Sequence, residues 1–483
     1  MKKKNIYVNQ SQELLRLFEE AGNSAKVMCI PMDYAKKDHV VMFCDGQGHI
    51  FRKPFSVKNS PEGIQYLTEQ VNRSCNRRKI DLKHVFFGGE DVGSYAENFV
   101  NTLRSGGWIV AGVNAHDAKK QRTNLQASTD RVDLMGIASM LLNRRANCSP
   151  AQSGIYRNLR TLARHRRKLV VMSTEEKNRI HSAVDRLFPG FLNEKKSGIC
   201  PFSESSLYLM EDRFSPHQIR RRKRKKLIEV LHRFGTKKPE STAPRLQEYA
   251  ARVLNTPDEY ISTLQLSLAQ HVKHFRCLKD SIAQLENEIA VWLAQTEGAF
   301  LTTFRGIGIV LAAGVSAEIG NPHEQKPVNN LTSYTGIIPR VKQTGGSEGK
   351  THTGKVAKRC NRILKDYVVQ SANHLGLHGP EDLMLDYKRR EAADQHADFG
   401  IGRRYLRTAM CLMRTSQIYL PQSLRNNAKT TPEERAGYYL MIWPALREKW
   451  KKAGALEAAF ENNRPLGRWR NMVQELYEIK LKL

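Results

Sequence analysis

Long apolar runs are missing from this chain of 483 residues. No stretch approaches the roughly 20 apolar residues that a membrane-spanning helix needs. The start, Met1-Lys2-Lys3-Lys4, lacks the apolar segment of a signal peptide, and no lipidation motif is present. No membrane partner is expected. Cysteine pairs are missing too. The eight cysteines (29, 44, 75, 148, 200, 277, 360, 411) are scattered without a Cys-x-x-Cys, which argues against a zinc ribbon or a secreted disulfide framework and for a reducing cytoplasm. Acid is in short supply: 48 Asp and Glu against 78 Lys and Arg give a formal net charge of +30 and a sequence pI near 9.9. So basic a chain calls for a polyanionic partner, nucleic acid ahead of an anionic membrane. No internal repeat is found, and the length predicts roughly two to four domains.

Strand signals gather early. Residues 26–30 and 39–44 are short apolar runs, Asp45-Gly46-Gln47-Gly48 supplies turn chemistry, and 49–55 reads as a third strand. Ile64, Leu67 and Val71 keep helical spacing within 61–75. Residues 84–88 and 108–113 are two further buried strands, separated by a helix over 92–103. Three strands, helix, strand, helix, strand predicts an α/β sheet that starts antiparallel and finishes parallel. From about 146 to 300 strand signals vanish. Basic helices are expected over 156–171 and 174–187, then a loose polar stretch. It holds seven consecutive basic residues, Arg220, Arg221, Arg222, Lys223, Arg224, Lys225 and Lys226, read as a phosphate-binding patch in preference to a nuclear-import signal.

A heptad follows: Ile261, Leu264, Leu268, His271, Phe275, Leu278, Ile282, Leu285, Ile289 and Trp292, with only His271 breaking the apolar seam. It predicts a coiled-coil or helical-hairpin arm, used for dimerisation or for packing on a neighbouring helix. Phe304-Arg305-Gly306-Ile307-Gly308 opens a helix over 309–319. Its Gly-x-Gly either presents N–H groups to a phosphate or makes a tight helix–helix turn. Residues 339–361, poor in apolar side chains, are expected to be a loop or a solvated helix start, and those beyond 376 to be helical and basic.

Chemistry is carried by scattered acids. In Thr129-Asp130-Arg131-Val132-Asp133 two carboxylates three apart share a helix face. Alone, the pair reads as a solvated helix start. Asp33 lies just past the first strand, and Glu90 follows Phe87-Gly88-Gly89 at the end of the fourth. Strand ends and the helices beside them form one crevice in an α/β sheet, so the four acids can converge. Four carboxylates in one crevice repel unless cations occupy it, and hard oxygen ligands select Mg²⁺ or Mn²⁺. Pro31 cannot donate to a ladder, so Asp33 is expected at a strand end or bulge, away from a central strand. Asp45, Asp91 and Asp117 are taken as bland acids, with Asp91 pointing away from Glu90.

At these residues the chain resembles the DEDD transposases of bacterial insertion sequences, RuvC-like recombinases guided by a bridge RNA. The resemblance rests on Pro31-Met32-Asp33, on Gly88-Gly89-Glu90 through Tyr95, and on Thr129 to Asp133 with Ile137-Ala138. It extends to Tyr156-Arg157-Asn158-Leu159-Arg160 and Phe188-Pro189-Gly190, and resumes at Arg305-Gly306-Ile307-Gly308 and Ala317-Glu318-Ile319-Gly320. It continues from Tyr334 to Pro339 and from Gly354 to Arg362. Residues 26–195 and 301–375 are well covered, the middle insertion and the last hundred residues poorly.

The resemblance implies a RuvC-like catalytic domain of the RNase H fold at 1–148, with Asp33, Glu90, Asp130 and Asp133 as metal ligands. A helical linker, basic insertion and coiled-coil arm would occupy 149–300, a transposase domain 301–375 and a basic helical extension 376–483. It also implies a serine nucleophile in the loop after Pro339. Spacing there gives Thr344, while Ser347 is the nearest serine; the less hindered primary alcohol favours Ser347. Implied partners are donor and target DNA, a guide RNA and further protomers, dimer to tetramer, in a bacterial cytoplasm. Arg220–Lys226, Lys350, Lys355, Lys358 and Arg359 would contact nucleic-acid backbones. Two other readings stand beside it: a Holliday-junction-type nuclease using water, and a basic nucleic-acid-binding protein without catalysis.

Overall fold

A computed structural model describes residues 10–90, 94–121, 129–146, 148, 154–212, 214–323, 328–343, 351–356, 360–393, 395–424 and 431–483. The chain divides into two compact units, Met1–Ala151 and Gln152–Leu483.

The first unit is a five-stranded sheet with helices on both faces. Its strands are β1 (Met28–Asp33), β2 (Asp38–Asp45), β3 (Ile50–Lys58), β4 (Val85–Glu90) and β5 (Ile109–Val113). Its helices are α1 (Gln12–Ala21), α2 (Pro61–Arg78), α3 (Ser94–Ser105), α4 (Ala115–Gln121) and α5 (Asp130–Leu142). Strand order is β3-β2-β1-β4-β5. The β1–β2 and β2–β3 pairs are antiparallel and the β1–β4 and β4–β5 pairs parallel, as the order of signals predicts. Alternation along the strands sorts the core into two layers. Cys29 and Phe86 pack with Leu134, Ile137 and Leu141 of α5. Met28, Ile30, Met32 and Phe87 pack with Leu67 and Val71 of α2 and Phe99 of α3.

One expectation fails here. Asp33 does end β1, but β1 is the central strand, with Pro31 inside it opposite Gly88. The β1–β2 pairing is recorded at Met28, Cys29, Met32 and Asp33 and skips Ile30 and Pro31. The absent proline N–H falls on that gap, so a central strand tolerates it.

The second unit is helical. Residues 154–187 form one continuous helix, α6 (Gly154–Leu187), instead of the two expected. The supposedly loose stretch after it holds α7 (Glu194–Ser197), α8 (Glu204–Glu211), α9 (Pro216–Arg221), α10 (Arg224–Arg233) and α11 (Pro239–Arg252). They build their own core around Phe188, Phe191, Phe214, Leu231 and Leu246. The heptad lies in α12 (Asp258–Ala294), which runs antiparallel to α6: Arg166 meets Glu286, and Glu176 meets His271. His271 thus interrupts the apolar seam to reach the buried Glu176, Nδ1 to Oε1 2.6 Å.

Next come α13 (Ile309–Ile319), α14 (Val328–Thr335), β6 (Pro339–Gln343), β7 (Thr351–Val356) and α15 (Arg362–His378). The expected loop over 339–361 therefore contains an antiparallel hairpin, with Val341 paired to Thr353. The chain continues with α16 (Glu381–Ala392), α17 (Ala397–Thr415), α18 (Pro432–Lys452), α19 (Leu456–Phe460) and α20 (Pro465–Tyr477). Among the described residues no helix is long and apolar enough to cross a membrane.

Candidate active site

The N-terminus of α5 is set by Thr129, whose hydroxyl accepts from the Val132 N–H at 3.4 Å. Asp130 and Asp133 occupy the first turn, where unsatisfied N–H groups favour negative charge. Asp130 is exposed, and Asp133 is half-buried.

Geometry sets Asp33 and Glu90 beside each other on the face that carries α5. First, the parallel pairing of Met32 with Gly89 puts the next residues, Asp33 and Glu90, side by side at the carboxyl ends of β1 and β4. Second, two-residue alternation from Cys29 to Asp33, and from Phe86 to Glu90, turns both side chains to the face that α5 covers. Third, the last turn of α5 lies beside the turn that adjoins the start of β1. A Cβ at Gly48, in the β2–β3 turn beside the start of β1, would lie 3.7 Å from Leu142 at the end of α5.

Close packing fixes this arrangement. A Cβ at Gly88 would lie 2.8 Å from the Ala111 carbonyl and 2.9 Å from Leu141 Cδ1, so α5 rests directly on β4. One carboxylate oxygen each of Glu90 and Asp133 is buried. The all-carboxylate donor set suits a hard divalent cation. The fit is one of chemistry and sheet end, because among the described residues no three His, Cys, Asp or Glu side chains form a group able to hold an ion.

The bland acids are structural where described. Asp45 is buried and accepts from the Gln47 and His49 N–H groups at 3.0 and 2.9 Å, closing the β2–β3 turn. Asp117 lies in the first turn of α4. Asp91 lies outside the described residues.

Thr344, Ser347 and Lys350, between β6 and β7, lie outside the described residues, as do Lys358 and Arg359 after β7; Lys355 falls on β7. The base of this hairpin is well tied. The Asn361 N–H donates to the Tyr334 carbonyl at 2.8 Å, and its side-chain amide donates to Tyr334 Oη at 3.0 Å and to Glu318 Oε2 at 2.8 Å. Glu318 is buried and accepts from Arg164 at 2.7 and 3.0 Å and from Arg160 at 3.1 Å. Burial pushes its carboxyl up, but the Arg164 hydrogen bonds, the Arg160 charge and the Asn361 amide outweigh that and hold it below the usual range. Sequence reasoning misses this network. Its one signal is an acid inside the otherwise apolar α13.

The Gly306–Gly308 turn is a close-packing device. Gly306 has φ +88°, and a Cβ there would lie 3.1 Å from the His374 carbonyl of α15. In the basic run, Arg220 and Arg221 end α9, Lys223 precedes α10, and Arg224, Lys225 and Lys226 begin it. All six are exposed, whereas Arg222 is half-buried and paired with Asp212 at 3.0 Å.

Residues 30–189 match the DEDD transposase family of IS110 type, and residues 298–383 match the transposase IS116/IS110/IS902 family. The two matches together span just over half of the chain. The chain is also similar to the transposase for insertion sequence element IS1328 of Yersinia enterocolitica, with 29% identity over 135 residues. That alignment covers 27% of this chain and 39% of the relative, so the chain spans about two fifths of the relative's length.

Proposed function

Since the chain belongs to the IS110-type DEDD transposases, we propose that it cuts and exchanges DNA strands as the recombinase of a bacterial insertion sequence. The observation that supports this reading is the neighbouring position of Asp33 and Glu90 at the carboxyl ends of two parallel strands, on the face covered by α5, whose first turn carries Asp130 and Asp133. These four carboxylates would hold Mg²⁺ or Mn²⁺, which, when bound, neutralises charge on a phosphodiester and on the oxygens that attack and leave it.

The second half of the chemistry belongs to Ser347 or Thr344. In this reading the hydroxyl oxygen forms a new bond to phosphorus. The broken phosphodiester bond leaves its electron pair on the departing strand oxygen, and a base takes the hydroxyl proton. Residues 1–148 act as the catalytic domain, 149–300 as linker, basic insertion and arm, and 301–375 as the domain bearing the hydroxyl loop, with 376–483 as extension. The basic run Arg220–Lys226, with Lys350, Lys355, Lys358 and Arg359, holds phosphate backbones of DNA and of a guide RNA. Composite sites, each drawn from two chains of a dimer to tetramer, complete the assembly in the bacterial cytoplasm.

The test is metal-dependent strand cleavage by the full chain on DNA from its own element. Asp130→Asn is expected to lower the rate about a hundredfold or more. Replacing both Thr344 and Ser347 by Ala is expected to abolish a covalent protein–DNA adduct. Cleavage that persists in the double variant without an adduct would favour a water-using nuclease. The wild-type chain binding DNA without cutting it would leave only the non-catalytic reading. RNA that copurifies with the chain and pairs with the target site would support guidance.

A further inference from the structure

We propose that Arg390, Arg403 and Arg407 form a binding site for a phosphodiester of the nucleic-acid backbone, on the face of α17 next to the chain that enters β6. The proposal rests on the nucleic-acid reading above but on none of its catalytic residues.

Arg403 and Arg407 are one helical turn apart and share a face of α17. Gly400, one turn earlier, lets Arg390 cross from α16: a Cβ there would lie 2.8 Å from its Cδ, Nε and Nη1 atoms. Arg390 therefore lies flat over α17 at the start of the same stripe. Arg403 is half-buried and donates from Nη1 to the Ile337 carbonyl at 3.2 Å, two residues before β6. This bond fixes the guanidinium beside the hairpin entry and uses one of its five donors.

Three guanidinium groups close together repel. Burial lowers the pKa of Arg403, and the charges of Arg390 and Arg407 lower it further. The nearby acids pair with Arg390 and with arginines outside the site, and leave Arg403 and Arg407. Asp386 takes Arg389 at 2.7 Å, Arg390 at 3.1 Å and Arg404 at 3.6 Å, and Asp382 takes Arg404 at 2.5 Å. Among the described residues no carboxylate lies within ion-pair distance of Arg403 or Arg407. An anion shared between them relieves the repulsion, and the planar guanidinium fork suits the paired oxygens of a phosphate.

The experiment measures affinity of the full chain for a short DNA duplex across a series of salt concentrations. Each lost phosphate contact reduces the steepness of log affinity against log salt by about 0.9; the arginines share one phosphate, so R403Q/R407Q is expected to flatten it by about 1 and R407Q alone by up to that amount. Arg407 is exposed, so the single variant guards against misfolding. K451Q/K452Q, at the exposed end of α18, is the control and is expected to leave the slope unchanged. An unchanged slope in R407Q and the double variant overturns the proposal, and so does an equal flattening in the control. Inorganic phosphate that raises the thermal midpoint of the wild-type chain but not of R403Q/R407Q, with DNA slopes alike, would assign the stripe to a free anion and also overturn it. If the wild-type chain shows no salt-dependent DNA binding, the nucleic-acid reading falls and takes the stripe with it.

Discussion

Lys449 sends its ammonium from α18 into a group of backbone carbonyls, Thr302 at 2.5 Å, Ile307 at 2.6 Å and Phe304 at 3.4 Å. It thereby clasps the turn that leads into α13. Burial pushes the amine down to about 8. In the folded chain the proton leaves near that pH, whereas in the unfolded chain it stays until about 10.4. Between these values the unfolded chain binds more protons, so this group makes the fold more stable as pH rises. Relative to Lys449→Met, the wild-type chain is expected to gain up to about 3 kcal/mol between about pH 8 and about pH 10.4. Denaturant unfolding of both chains at the two ends of that window checks this, and a constant difference would sink it. At this scale the sequence is only partly legible. Asp130 and Asp133 declare themselves by spacing and a threonine cap, but the roles of Lys449, Glu176 and Glu318 depend on partners more than ninety residues away.

Elements are more readable than their partners. Apolar runs and turn residues give all five strands of the first sheet and their directions, because buried strands need continuous apolar stretches. The β6–β7 hairpin is hidden because its strands are polar, as befits a two-stranded ribbon with no apolar run. The α7–α11 module is hidden for a related reason: its core is assembled from a few apolar residues per short helix. At Gly88 an element-level prediction can be made. Gly88→Ala pushes a methyl against the Ala111 carbonyl, which is backbone of the paired strand and cannot swing away, and against Leu141 of α5. The expected cost is about 1–3 kcal/mol, with α5 displaced relative to the end of β4. A thermal midpoint unchanged from wild type would show that α5 does not press on the strand. The four carboxylates are legible as a set because each sits at the edge of an element. Spacing does not carry the ångströms that decide an ion site, and among the described residues no three such side chains form one.

For the whole molecule the dominant quantity is charge. In the DNA binding proposed above, a net +30 implies many phosphate contacts, each releasing counterions from the duplex. Raising salt from about 50 to about 200 mM is expected to lower affinity for duplex DNA about a thousandfold. Equal affinities at the two concentrations, measured by titration, would contradict this. Charge is the property most fully legible in the amino-acid sequence, since it needs only a count, whereas the division into two units depends on which helices cover which. The α6–α12 pair has a consequence in time. Leu159, Ala163, Ile180 and Val184 of α6 are buried with residues of α12, which is complete only about a hundred residues after α6 ends. At a synthesis rate of about 5–20 residues per second, a nascent α6 leaves the ribosome roughly 5–20 seconds before its cover exists. During that interval Leu159 and Ala163 of α6 lack the α12 residues with which they are buried.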